Sequence, residues 1–159
     1  MNSLKKKLLL DSFVAAPDQL ESALKSIDLK IVDWKPGQGE WSVRQVVFHV
    51  VDGEANYYLR IRKAIAEPGG TVIAYDQNKW TDHFDYPGRS IEEGLRLFRL
   101  LRTSTYQLMA QLPDSAWANT VQHSERGTLT LENLLNGTES HVLEHLRQIQ
   151  DNVTRFANR

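Results

Sequence analysis

His141-Val142-Leu143-Glu144-His145 sets two imidazoles four residues apart. On a helix, side chains at that spacing lie one above the other on a single face. The neighbours say which face it is. Leu131, Leu134, Leu135, Thr138, Val142, Leu146, Ile149, Val153 and Phe156 follow helical spacing, and the two imidazoles fall within that stripe or at its edge. Both rings should therefore point inward, where an unpaired ring nitrogen is costly. A metal ion is the candidate partner.

His49 adds a third ring. Val46, His49, Val50, Gly53 and Tyr57 occupy one stripe of an earlier segment. Alone, an inward histidine reads as a core residue hydrogen-bonded to backbone or carboxylate. Three inward imidazoles from two helices of one bundle can supply three facial nitrogen ligands. The remaining positions would stay open to water or substrate, as in a catalytic site rather than a closed structural one. Glu144 could serve as a base or as a partner to a ligand; the plain alternative is a solvated residue at the edge of the buried face. His83 and His123 lie in connecting segments and read as solvated. Of the two, His123 has the better claim to a role, because the segment leading into the last helix could fold over the metal.

His141-x-x-Glu144-His145 also matches the inverted zinc-protease motif. That arrangement needs a carboxylate ligand far downstream, and only fourteen residues follow His145. The protease assignment is rejected.

These residues need helices to hold them. The 159 residues, with 41% apolar and 25% charged side chains, suit one domain spanning 1–159 with a full core. The net charge of −1 offers no basic surplus for nucleic acid, and no uninterrupted apolar run could cross a membrane. Lys5-Lys6-Lys7 before Leu8-Leu9-Leu10 imitates a signal peptide, but Asp11 and Ser12 end the apolar run. The segment reads as the start of an amphipathic helix in a cytoplasmic protein. Cysteine is absent, which excludes disulfides, thiolate zinc sites and a cysteine nucleophile. Any thiol must arrive with a substrate.

The spacing predicts four helices. Leu9, Phe13, Leu20, Leu24 and Ile27 mark the first, with Pro17 expected near the start of its main part. A loop from Asp28 to Glu40 follows. Ser42-Val43-Arg44-Gln45 is a capping box that opens the second helix, which stops at Pro68-Gly69-Gly70. Residues Thr71 to Arg89 form a long connection, with a short helical turn over Tyr75–Trp80. Ser90-Ile91-Glu92-Glu93 caps a third helix that runs until Pro113. The segment Val121–Thr130 reads as irregular, with a small hairpin turned at Arg126-Gly127. The fold class is all-α: a four-helix bundle whose long connections allow sequential helices to run parallel.

Gly39-Glu40-Trp41-Ser42-Val43-Arg44-Gln45-Val46-Val47-x-His49-Val50-x-Asp52 resembles the signature of the DinB/YfiT-like metalloprotein superfamily. Tyr75-Asp76-x-x-x-Trp80, Gly127-Thr128-Leu129-Thr130-Leu131 and His141-x-x-x-His145 come in that family's order at similar spacings. The chain departs from the pattern at Gln77, Ser124 and Glu144. The resemblance covers nearly the whole chain. It implies a bundle of up-down-down-up order, a zinc or nickel ion held by His49, His141 and His145, and a homodimer. It also implies a small-molecule substrate and either of two activities. One is a thiol-S-transferase using a low-molecular-weight thiol such as bacillithiol; the other is a metal-dependent hydrolase. Asp52, one turn beyond His49, is then a candidate orienting group or substrate contact. Tyr75 and Trp80 are candidate pocket walls, or else they pack the long connection onto the bundle. The rival reading is a non-enzymatic metal-binding protein of stress response or protein interaction.

Overall fold

In the computed structural model, which describes residues 3–84 and 86–159, the first helix, α1, runs from Ser3 to Leu24 and carries Pro17 inside it. The expectation that Pro17 stands near a helix start is corrected. A proline at that position has no amide for the carbonyl four residues back, that of Phe13. Arg102 Nη1 donates to that carbonyl instead, at 2.8 Å. A residue of a distant helix thus repairs the local defect.

After α1 come a single-turn helix α2 (Leu29–Val32), α3 (Val43–Ala66), β1 (Thr71–Val72), α4 (Gln77–His83) and α5 (Ile91–Ala110). A 3-10 turn (Asp114–Ala118), β2 (Thr120–His123), β3 (Gly127–Thr130) and α6 (Leu131–Ala157) complete the chain. The four long helices are the expected bundle. Two expectations are refined. The Asp28–Glu40 loop contains α2, and the long connection contains β1. That short strand pairs in parallel with β2, which pairs antiparallel with β3. The hairpin turns before Gly127, whose φ of 67° is left-handed and favours glycine.

The Trp41–Gln45 run has a physical reason at every position. Ser42 Oγ accepts from the Gln45 amide and Gln45 Oε1 accepts from the Ser42 amide, closing the capping box. Val43 is fully buried. Arg44 grips Asp33 with two bonds of 2.6 and 2.9 Å and donates to the Arg89 carbonyl at 2.7 Å. It thereby ties the loops on either side of α3 to the helix start. Asn152 of α6 holds the Trp41 carbonyl at 2.9 Å. A second capping box, Thr130 with Asn133, starts α6. Ser90 caps α5 from one side, accepting from the Glu93 amide.

Contacts along the helices set their directions. Lys5 meets Glu132 and Ser12 meets Glu139, so α1 and α6 run parallel. Lys6 reaches the Leu112 carbonyl just past α5, and Arg99 pairs with Asp18 and Glu21, so α1 and α5 run antiparallel. Glu54 meets Arg102, and Arg62 meets Ser104, so α3 and α5 run parallel. Trp41 meets Asn152, and His49 meets His141, so α3 and α6 run antiparallel. The order is up-down-down-up. The parallel step from α3 to α5 is what the long connection serves.

Two apolar clusters fill the bundle. One, built on Phe13, Ile61, Met109, Trp117, Leu131 and Leu135, lies toward the hairpin. The other, built on Leu20, Val46, Val50, Phe98, Val142 and Ile149, lies toward the far end. Polar side chains occupy the level between them. Arg102 of α5, 0% exposed, bonds to Glu54 of α3 at 3.0 Å, Glu139 of α6 at 2.6 Å and the Phe13 carbonyl of α1. One buried guanidinium therefore joins all four long helices, and these acceptors, with the Thr138 carbonyl at 3.4 Å, offset its desolvation. Among the described residues, no helix is long and apolar enough to cross a membrane.

Candidate metal centre

The three histidines converge. His49 comes from α3 and the other two from α6, where their i, i+4 spacing stacks them on one face. One nitrogen from each ring lies within 4.8 Å of the other two. The ring centroids are 4.5 to 4.8 Å apart. His49 and His145 are buried and His141 is half-buried. His141 can come this close because its neighbour on α3 is Gly53: a Cβ there would stand 2.7 Å from His141 Cε1.

The polar contacts define the donor atoms. His141 Nε2 faces His49 Nε2 at 2.8 Å. His145 Nδ1 lies 2.8 Å from Gln148 Oε1. The amide oxygen can only accept, so Nδ1 carries the proton and Nε2 keeps its lone pair. Trp41 packs 4.7 Å from the His49 ring and 6.3 Å from that of His145. Burial is the main reason that His49 titrates only at about 4, with the His145 charge adding to it. Burial, then His145 and His49, and last Arg102 take His141 down to about 3. His145 is lowered as well, again by burial, with Gln148 and Glu144 opposing. All three rings are neutral at pH 7, the form in which imidazole binds a metal.

A divalent metal fits these residues. Between His49 and His141 a single proton serves two facing lone pairs, and His145 brings a third. One cation of borderline softness satisfies all three nitrogens. The metal would be held by His49, His141 and His145.

Two clefts flank the rings. One of about 560 Å³ opens on His141 and is walled by α6 and the hairpin; Tyr57, Arg126, Ser140 and Glu144 line it. The other, of about 350 Å³, opens on His145 and is lined by Trp41, Gln77, Gln148 and Asp151 among others. Glu144 is thus an exposed carboxylate in the same cleft as His141.

The remaining candidates sit around this centre. Asp52 is half-buried and accepts from the Tyr86 hydroxyl. Burial raises its pKa more than that bond and Arg89 lower it. Tyr75 packs 4.5 Å from Trp80. Burial, followed by the charge of Asp52, pushes its hydroxyl up to about 12. The row continues through Phe84 and Tyr86 to Phe48 of α3. Tyr75 and Trp80 thus belong to an aromatic layer that seats the long connection on the bundle beside Asp52. The rings packed against the histidines are Trp41 and Tyr57, tilted to the His49 and His141 imidazoles respectively. His123 is buried on β2, outside the three-ring cluster, and its Nδ1 accepts from the amides of Glu125 and Arg126 in the hairpin turn. His83 is exposed, with Nδ1 at the Lys79 carbonyl.

Sequence reasoning missed Gln148, Tyr86 and the contact of Trp41 with the rings. Gln148 was within reach, since it lies three residues beyond His145 on the same face. The approach of Tyr86 to Asp52 is a tertiary contact across 34 positions.

A family model described as the DinB superfamily matches residues 12–149. A relative from Oceanobacillus iheyensis, named "Putative metal-dependent hydrolase", is 28% identical over 133 residues, covering 84% of this chain and 77% of the relative. One of the same name from Bacillus mycoides is 32% identical over 115 residues, covering 72% of this chain and 66% of the relative. Among solved structures, YfiT from Bacillus subtilis, described as a probable metal-dependent hydrolase with an unusual four-helix bundle topology, superposes with a TM-score of 0.91. It is 24% identical, with 99% of this chain and 90% of YfiT covered. At that identity the likeness establishes the fold, and the match of the family model establishes the membership. This chain belongs to the DinB superfamily.

Proposed function

We propose that this protein is a metal-dependent enzyme that presents an external low-molecular-weight thiol to an electrophile. The observation that carries the reading is a trio of neutral, inward imidazoles whose one half-exposed member opens on a cleft large enough for a small molecule. A zinc or nickel ion held by His49, His141 and His145 would supply Lewis acidity, which lowers the pKa of a thiol or water bound beside the rings. In the transfer, sulfur gives up its proton, forms a bond to an electrophilic carbon, and the leaving group departs with the bonding pair. Glu144, in the cleft with His141, is the carboxylate positioned to take that proton. Gln148 holds the His145 ring in one tautomer, and Trp41 stacks beside it in the second cleft. Asp52 and Tyr86 form a polar pair one turn from His49, and with Tyr75 and Trp80 they would shape the approach of the substrate. The absence of cysteine agrees with a thiol that comes from outside.

The names of the relatives favour a second use of the same residues, in which water replaces the thiol and the reaction is hydrolysis. A screen of several thiols against a general electrophile, run beside a panel of ester and amide substrates, separates the two. Thiol-dependent turnover that disappears in His145→Ala, with the helical content retained, supports the transferase. Turnover without thiol supports the hydrolase. No turnover across both panels, with metal tightly bound and a protein partner recovered, supports a non-enzymatic binding role and contradicts the proposal.

A further inference from the structure

The cleft on His141 has a second chemical feature. Arg126 reaches into it from the hairpin turn. Behind Tyr57, which lines the same cleft, lies Arg60, with Cζ 5.6 Å from the Tyr57 ring centroid. Arg60 is buried, and its one hydrogen bond to protein among the described residues is from Nη2 to the Ile73 carbonyl, at 2.8 Å. Neither arginine forms an ion pair with a carboxylate among the described residues. Arg44, Arg96, Arg99, Arg102 and Arg155 each do.

A buried guanidinium without a counter-charge is costly, and a second cation nearby raises the cost. The fold brings the two together all the same. Arg60 is fastened to Ile73, next to Val72, and Val72 pairs with His123. The His123 ring in turn accepts the Arg126 amide. The two arginines hold His123 below its ordinary pKa, after the effect of burial. Glu125 of the same turn offsets part of this field and makes no ion pair among the described residues. Glu144 lines the cleft from α6, so the two guanidiniums, neither in an ion pair among the described residues, mark the hairpin side of the cleft as its positive end. Guanidinium recognises carboxylate and phosphate with paired bonds.

We infer that the cleft binds a small molecule with an anionic group, a carboxylate or a phosphate, which Arg126 contacts directly while Arg60 adds positive potential from behind Tyr57. The end of that molecule at the imidazoles rests on the metal-site reading above; the anionic end rests on the arginines alone. The two can therefore fail separately.

The test is side-chain NMR on the full chain, metal-free and zinc-loaded, titrated with succinate, inorganic phosphate and the neutral control succinamide. Succinate or phosphate should shift the Arg126 Nε–Hε resonance saturably in both forms, and succinamide should not. Arg126→Gln should weaken binding of the anion by about tenfold or more, the loss of one charge-assisted bond, and leave zinc stoichiometry unchanged. No saturable shift with either anion, equal affinity in Arg126→Gln, or binding seen only with zinc and insensitive to Arg126→Gln would each overturn the inference. A chain that takes up no zinc but binds succinate through Arg126 would uphold it and remove the metal reading.

Discussion

His49 Nε2 lies 2.8 Å from His141 Nε2, though 92 positions separate the two residues in the chain. Antiparallel packing of α3 and α6 makes the meeting, and Gly53 leaves room for it. Two neutral imidazoles at this distance share one proton, and burial keeps them neutral.

That neutrality has a pH signature. In the unfolded chain these rings titrate near 6.5, while in the folded chain His49 titrates at about 4 and His141 at about 3. Their folded pKa values are depressed, so the unfolded state binds more protons in acid. The stability they contribute is fully present above pH 6.5 and falls as pH drops toward 4 and then 3. Urea denaturation of the metal-free protein should show this acid limb, and His49→Gln should flatten it. For the same reason, zinc uptake at neutral pH should release few protons. Calorimetry in two buffers of different protonation enthalpy should give nearly equal heats.

Gly53→Ala should injure the site with little cost to the fold. The new methyl would stand 2.7 Å from His141 Cε1, so the ring must move. Metal affinity should fall by about 10-fold or more, the scale on which misplaced ligands are felt. Competition with a chromogenic chelator measures it, and thermal unfolding of the metal-free variant serves as the control.

Gln148→Ala removes the acceptor that fixes His145 Nδ1. The ring is then free to change tautomer and to rotate. Metal affinity should drop by about 10- to 100-fold, as for other partners of ligating histidines. The same competition assay reads it, and Gln148→Glu should restore much of the loss.

Arg102 and Pro17 should be coupled. Arg102→Met leaves Glu54 and the Phe13 carbonyl buried without their donor, and Glu139 with Ser12 alone, and should cost about 3–5 kcal/mol. Pro17→Ala returns an amide to the Phe13 carbonyl. In the Arg102→Met background it should recover about 1 kcal/mol, measured by denaturant titration of the four members of the double-mutant cycle.

The histidine trio was legible because helical periodicity and capping boxes are local signals. His141 and His145 announce one face, Val46 and Val50 announce another, and Ser42 with Gln45 marks where α3 begins. What could not be read was long-range. Local rules place Pro17 at a helix start; Arg102, 89 positions from Phe13, reverses that outcome. A charged residue reads as surface, yet Arg102 is 0% exposed because three helices bring it acceptors. The two residues of β1 carry no periodicity of their own and become a strand only by pairing with β2. The seating of Tyr75 and Trp80 likewise depends on Phe84, Tyr86 and Phe48, which only the fold brings into one row.

The most direct measurement is elemental analysis of untagged protein purified without chelator, repeated on His49→Ala. The account predicts about one equivalent of zinc or nickel in the wild type, lost in the variant while circular dichroism stays unchanged. A wild type without metal that also fails to take up added zinc or nickel would contradict it, as would equal metal content in His49→Ala.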